Sequence, residues 1–129
     1  MKIKLILLSL FISCSLVAQK TKKIKVKDKK DDSKEIYYIL KSNKTIRQGA
    51  YSKYNELNNL ILEGEYADNY KSGLWKIYSN DGLLKMKGTY EKNQKTGIWE
   101  YFNAEKKIIQ RFDFSNKKLI FFEDFEFEK

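Results

Sequence analysis

The chain has 129 residues, 33% of them charged, a formal net charge of +9, and neither proline nor histidine. That length holds one domain, and without histidine the side chain most used for proton transfer near neutral pH and for zinc ligation is missing. The single cysteine, Cys14, lies near the start, so no disulfide framework or cysteine metal site can be built and no cofactor is expected.

Lys2 and Lys4 precede an apolar run from Leu5 to Val17, and Ala18 is followed by a polar, lysine-rich stretch. A charged start, a short apolar centre and a small exit residue predict a secretory signal peptide over residues 1–18. A spanning helix needs about 20 apolar residues, more than this run provides. Cleavage after Ala18 would deliver a periplasmic or secreted chain. Phe11, Ile12 and Ser13 also permit a lipoprotein signal, in which Cys14 becomes the lipidated first residue.

Residues 20–34, KTKKIKVKDKKDDSK, hold eight lysines against three aspartates, whereas from residue 35 onward basic and acidic residues number 16 and 14. Such a segment predicts a solvated, flexible linker over residues 19–34. Its charge also suits weak contact with an anionic membrane or surface polymer. No aromatic interleaves these lysines, so nucleic acid is not an expected partner.

From residue 35 to residue 129 the chain repeats itself. Gly73, Trp75, Tyr78, Leu84, Gly88 and Tyr90 fall on Gly97, Trp99, Phe102, Ile108, Phe112 and Phe114 one 24-residue step later. One step earlier they fall on Gly49, Tyr51, Tyr54, Leu60, Gly64 and Tyr66. Recurrence of rings and glycines at fixed offsets predicts one supersecondary unit stacked on its neighbours. Within the unit, period-2 alternation on both sides of Ser79–Gly82 predicts a hairpin, and KNQKT over residues 92–96 turns the chain back.

The expected fold is therefore all-β, an elongated meander of antiparallel hairpins. Gly49, Gly64, Gly73, Trp75, Gly88, Tyr90, Gly97 and Trp99 define the repeat, with rings covering bare glycine backbone. Pairing Tyr78 with Leu83 would set Trp75 opposite Met86 and Gly73 opposite Gly88. Tyr54, Tyr78 and Phe102 are expected on the opposite face, near the turns, either covering hairpin ends or forming an aromatic row for a partner. EIYYIL and TIRQGAY read as an extra hairpin, and LIFFEDFEFEK as a closing strand whose acids guard the edge or whose phenylalanines dock a partner strand.

From Gly49 to Phe114 the chain resembles variant MORN repeats, specifically the YwqK-type family often labelled toxin–antitoxin system antitoxins. The strongest part is GLWKIYSNDGLLKMKGTYEKNQKTGIWEYF, with Tyr51 standing where the pattern has tryptophan. The resemblance implies an array of β-hairpins, no catalytic centre, and binding or scaffolding as the role. The expected function is an exported, non-enzymatic envelope protein that binds a protein, surface polymer or lipid. The alternative is an antitoxin or immunity-type inhibitor of a partner protein. Catalysis would have to rest on carboxylates such as Glu63, Glu65 or Asp113, yet the column of Glu63 continues as Lys87 and Arg111 and preserves no acid.

Overall fold

The computed structural model describes residues 19–123. The expected leader, including Cys14 and the cleavage point at Ala18, and the end of the expected closing strand, residues 124–129, lie outside the described residues. Among the described residues nine strands run in order: β1 (Thr21–Lys27), β2 (Lys34–Leu40), β3 (Arg47–Tyr54), β4 (Leu60–Ala67), β5 (Tyr70–Tyr78), β6 (Leu84–Glu91), β7 (Gln94–Phe102), β8 (Ile108–Asp113) and β9 (Lys118–Phe122). Each pairs antiparallel with the next, giving one open meander sheet.

The first correction falls on residues 19–34, expected as a flexible linker. Residues 21–27 instead form β1, in continuous register with β2 from Thr21↔Leu40 to Lys27↔Lys34. The lysine count conceals a period of 2: Ile24 and Val26 alternate with Lys23, Lys25 and Lys27, and β-branched residues suit a pleated, half-covered strand. The aspartates belong to the turn that follows. Asp28 and Asp31 accept hydrogen bonds from the backbone N–H groups of Lys30 and Ser33, and the Asp28 N–H donates to the Ser33 carbonyl. Short acidic side chains that bond the backbone two residues on are turn formers.

Hairpin ends alternate between two geometries. Asp68–Asn69 and Lys92–Asn93 carry consecutive positive φ angles, 49° and 71°, then 47° and 69°. These are type I′ turns, whose twist matches that of the flanking strands. The turn expected over residues 92–96 is therefore only two residues long, and β7 begins at Gln94. The other ends are wider. The N–H groups of Asn55, Ser79 and Asn103 donate to the carbonyls of Asn59, Leu83 and Lys107. The turn takes in Leu83, so Tyr78 pairs with Leu84 rather than Leu83, and one extra residue follows each such end, at Ile61, Lys85 and Ile109.

The longer turn and the added residue each shift the expected register by one position: Ile77 lies opposite Met86, Trp75 opposite Gly88 and Gly73 opposite Tyr90. Alternation alone reveals neither the fifth turn residue nor the bulge, and together they move every later partner by two. Larger bulges occur on the other side of the tryptophan strands. Between the pairs Glu63↔Lys76 and Glu65↔Ser72, the single residue Gly64 faces Gly73, Leu74 and Trp75. Between Lys87↔Glu100 and Thr89↔Thr96, Gly88 faces Gly97, Ile98 and Trp99.

The glycines in each bulge serve different needs. Gly73 and Gly97 sit at φ +68° and +61° with open space where a Cβ would be, so backbone conformation selects them. Gly64 and Gly88 have no such φ, but a Cβ there would run into the indoles of Trp75 and Trp99. Each ring lies flat on its glycine, and its Nε1 donates to a nearby carbonyl, Trp75 to Glu65 and Trp99 to Thr89, both at 3.2 Å. Both tryptophans are fully buried although, among the described residues, no second layer covers the sheet. Burial is achieved by rings against backbone and against each other.

Candidate functional site

Those rings form a continuous spine on one face. Tyr51 meets Tyr66 and Trp75, Trp75 meets Tyr66 and Tyr90, Tyr90 meets Trp99, and Trp99 meets Phe114, with centroids 5.1–6.0 Å apart. Most contacts are edge to face, the arrangement favoured by the ring quadrupole. Thus Tyr90, expected as a repeat-defining residue, is the bridge between the two indoles.

Three cations lie along the spine. The Arg47 guanidinium stands 4.5 Å from the Tyr37 ring and 5.5 Å from Tyr66. Lys71 Nζ is 4.7 Å from Trp75 and 5.1 Å from Tyr90, and Lys95 Nζ is 4.2 Å from Trp99 and 4.9 Å from Phe114. They occupy β3, β5 and β7, so adjacent cations are two strands apart, about 10 Å. The backbones of Arg47 and Lys71 are pinned by the following two-residue turn. Asn69 Oδ1 accepts from the Arg47 N–H and Asn93 Oδ1 from the Lys71 N–H, while the Asn69 and Asn93 N–H groups donate back to the Arg47 and Lys71 carbonyls.

Among the described residues, none of these three cations makes an ion pair. Burial, reinforced by repulsion from Lys71, lowers the Lys95 pKa. Their methylene stems shield the rings while their charged ends reach outward. The row thus combines regular pitch with positive charge that has no ion-pair partner among the described residues. Sequence reasoning missed it, although positions 47, 71 and 95 already share the 24-residue interval.

The other face carries compensated charge. Lys76 Nζ and the Tyr78 hydroxyl both donate to Glu63 Oε1, at 2.9 and 2.6 Å. Glu100 pairs with Lys87 at 3.2 Å and with Arg111 at 2.9 Å. Tyr54, Tyr78 and Phe102 are all half-buried. Tyr78 is held by Glu63, the Phe102 ring lies 5.5 Å beneath Lys87 Nζ, and Tyr54 lines an open groove of ≈530 Å³ with Tyr38, Glu63, Glu65 and Lys76.

The carboxylates considered for catalysis have local partners. The Tyr78 hydroxyl and Lys76 hold Glu63 below the usual carboxylate range against the opposing pull of burial. The Asp113 carboxylate accepts from the N–H groups of Ser115 and Asn116 and from Asn116 Nδ2, closing the turn before β9. Glu65 is exposed and contributes its backbone carbonyl to Trp75. Among the described residues, no cluster of three or more His, Cys, Asp or Glu could hold a metal ion. Comparison with family models, with curated proteins and with solved structures finds no match.

Glu63 and Glu100 give the fold an acid limb. Burial alone would raise Glu100, but hydrogen bonds from Arg111 and Lys87 outweigh it, and both carboxyls end below their ordinary value of 4.5. A lowered folded value contributes stability that is complete above the ordinary value and is lost as pH falls through the folded one. Glu63→Gln should therefore lower Tm at neutral pH, with the gap to the parent protein closing as pH falls below that ordinary value. Thermal melts across the acid range check this, and a gap independent of pH would rule it out.

Proposed function

We propose that this chain is a non-enzymatic, exported repeat protein of the bacterial cell envelope, built from MORN-like units, that binds an anionic surface polymer along its ring face. The observation that carries the reading is the line of Arg47, Lys71 and Lys95, each over two rings and none ion-paired among the described residues. A pitch of about 10 Å matches the spacing of alternate strands. It suits an extended acidic polysaccharide with one carboxylate on every second sugar. An acid that reaches the row relieves the lysine–lysine repulsion already present and meets side chains whose freedom is reduced by the rings beneath. The leader pattern and the repeat resemblance support the envelope address and the non-catalytic role.

Binding to a soluble polyuronate, measured by calorimetry at low and moderate salt, tests the reading. The triple substitution Arg47→Gln, Lys71→Gln, Lys95→Gln should weaken binding at least about tenfold and flatten its salt dependence, because screened charge contacts are lost. Lys71→Arg with Lys95→Arg keeps charge and ring contact and should retain affinity. Equal weakening by Lys76→Gln with Lys87→Gln on the other face would reject the ring face as the site. So would an absence of binding by the parent protein. Recovery from cells of one stoichiometric protein partner, lost on Tyr78→Ala, would favour the inhibitor reading instead.

A further inference from the structure

The two edges of the sheet are built differently. β9 has five residues, and its register with β8 shifts between the Arg111 and Phe112 pairs. A bulge of that kind makes an edge irregular and discourages a further strand. β1, at the other edge, runs seven residues in unbroken register with β2. Among the described residues nothing pairs with its outer side. Hydrogen bonds at its two ends set the direction of every backbone group between them. The Lys41 N–H donates to the Lys20 carbonyl, and the Asp28 N–H to the Ser33 carbonyl. Both pairs continue the β1–β2 register, so the even-numbered residues from Lys20 to Asp28 exchange bonds with β2. The N–H and C=O groups of Thr21, Lys23, Lys25 and Lys27 therefore point away from the sheet.

Side chains alternate in step with the backbone. Ile24 lies opposite Tyr37 and Tyr37 opposite Tyr51, so Lys22, Ile24 and Val26 belong to the ring face and Lys23, Lys25 and Lys27 to the other. The residues with outward backbone groups are thus the ones that line a single face with lysine. Across β2 they meet Tyr38, Ile36 and Lys34, so no acid answers them from the inner side. Lys27 reaches Asp32 at 2.8 Å in an exposed pair, while Lys23 and Lys25 make no ion pair among the described residues. On the ring face Val26 is 45% exposed. Lysines on an edge also deter pairing, but they deter selectively. A second copy's β1 would set lysine against lysine, and an apolar strand would leave the ammonium groups without partners. An acid at each of those positions turns the same charges into attraction.

We propose that the β1 edge binds an extended segment of a partner protein that carries acids at alternate positions and apolar residues between them. Running antiparallel, the segment sets one acid across from each of Lys23, Lys25 and Lys27, in pairs that exchange two backbone hydrogen bonds apiece. Its apolar residues then fall on the ring face and extend the cover over Ile24 and Val26. In strand addition of this kind the backbone bonds supply affinity and the alternate side chains supply selection. A one-residue slip would set apolar side chains against the lysines and acids beside Ile24 and Val26, which fixes the register. A polysaccharide carries no matching ladder of amide donors and acceptors, so this edge is separate from polymer binding on the ring face.

Calorimetry with the synthetic peptide acetyl-Glu-Val-Glu-Val-Glu-amide tests the proposal. The parent protein should bind it with an affinity that falls as salt rises. N-methylation of the glutamates removes the N–H groups that would face β1 and should weaken binding at least about tenfold, because lysine carbonyls then lose their donors. N-methylation of the valines, whose N–H groups would point away, should change it by less than about twofold on the same argument. Amide exchange followed by NMR should slow at Lys23, Lys25 and Lys27 on peptide binding and change less at Ile24 and Val26, already bonded to β2. The variant Lys23→Glu, Lys25→Glu, Lys27→Glu should lose this peptide and take up acetyl-Lys-Val-Lys-Val-Lys-amide instead. Equal binding of the two N-methylated peptides would reduce the contact to charge alone and overturn the proposal. An absence of binding by the parent protein would overturn it, and so would binding abolished by Arg47→Gln, Lys71→Gln, Lys95→Gln, which would place the peptide on the ring face. Binding that appears only after residues 124–129 are removed would assign the edge to the chain's own acidic end and overturn it too.

Discussion

Trp99→Ala is expected to destabilise the fold by about 3–5 kcal/mol, the cost typical of removing a large buried ring. The indole is fully buried. It lies on Gly88, meets Tyr90 at 5.1 Å and Phe114 at 6.0 Å, donates to the Thr89 carbonyl and carries Lys95 above it. In a two-layer protein the neighbours of a truncated core residue can settle partly into the space left. Here, among the described residues, only the flanking rings and the Lys95 side chain cover the indole, so its loss uncovers the β6 backbone, leaves the Thr89 carbonyl without its indole donor, and separates Tyr90 from Phe114. For a domain of about 100 residues, each kcal/mol shifts Tm by roughly 4–8 °C, so even the lower end of the range is readily measured. Urea titration with the slope compared between variants checks the size of the loss. A cost below about 1 kcal/mol would mean that the ring spine is not what holds the sheet together.

Much of this was legible in the sequence because rings and glycines repeat at a fixed interval. Tyr51, Trp75 and Trp99 fall in one column, and period-2 alternation on either side of Ser79–Gly82 reads directly as a hairpin. Register was not legible. It depends on the extra residues Ile61, Lys85 and Ile109 and on the three-residue bulges facing Gly64 and Gly88, which alternation alone does not reveal. β1 was obscured for a different reason. Its lysines dominate composition, while the order that makes it a strand lies in Ile24, Val26 and the turn-forming aspartates.

The cation row shows a third kind of miss. Arg47, Lys71 and Lys95 sit on the same interval as the rings, but charged residues at strand ends are commonly solvated, and nothing in one dimension says which rings lie beneath them. Tyr78 shows the reverse. Its position on the face opposite the tryptophans follows from alternation, yet its bond to Glu63 depends on which strands become neighbours. Contacts within a strand follow from spacing, whereas contacts across strands need the register first.

Gly88→Ala is expected to cost at least about 1–3 kcal/mol, the usual penalty for overfilling a packed site, and its origin can be separated from that of Gly97→Ala. A Cβ at position 88 would overlap Cδ2, Cε2 and Cγ of Trp99, atoms at the rigid centre of the indole rather than at a movable tip. The ring must then lift off the strand and give up its burial. At position 97 the added Cβ meets nothing, but the backbone sits at φ +61°, where an L side chain is strained by roughly 1–2 kcal/mol. A double-mutant cycle distinguishes the two causes. With Trp99→Ala in place the clash at position 88 disappears, so Gly88→Ala should add little and the pair should be strongly non-additive. Gly97→Ala should cost about the same with or without the ring. Additive losses for Gly88→Ala and Trp99→Ala, measured by urea titration of all four proteins, would mean that the indole does not rest on Gly88. The same cycle at Gly64 and Trp75 should give the same sign, since a Cβ at Gly64 meets the same three atoms of that indole.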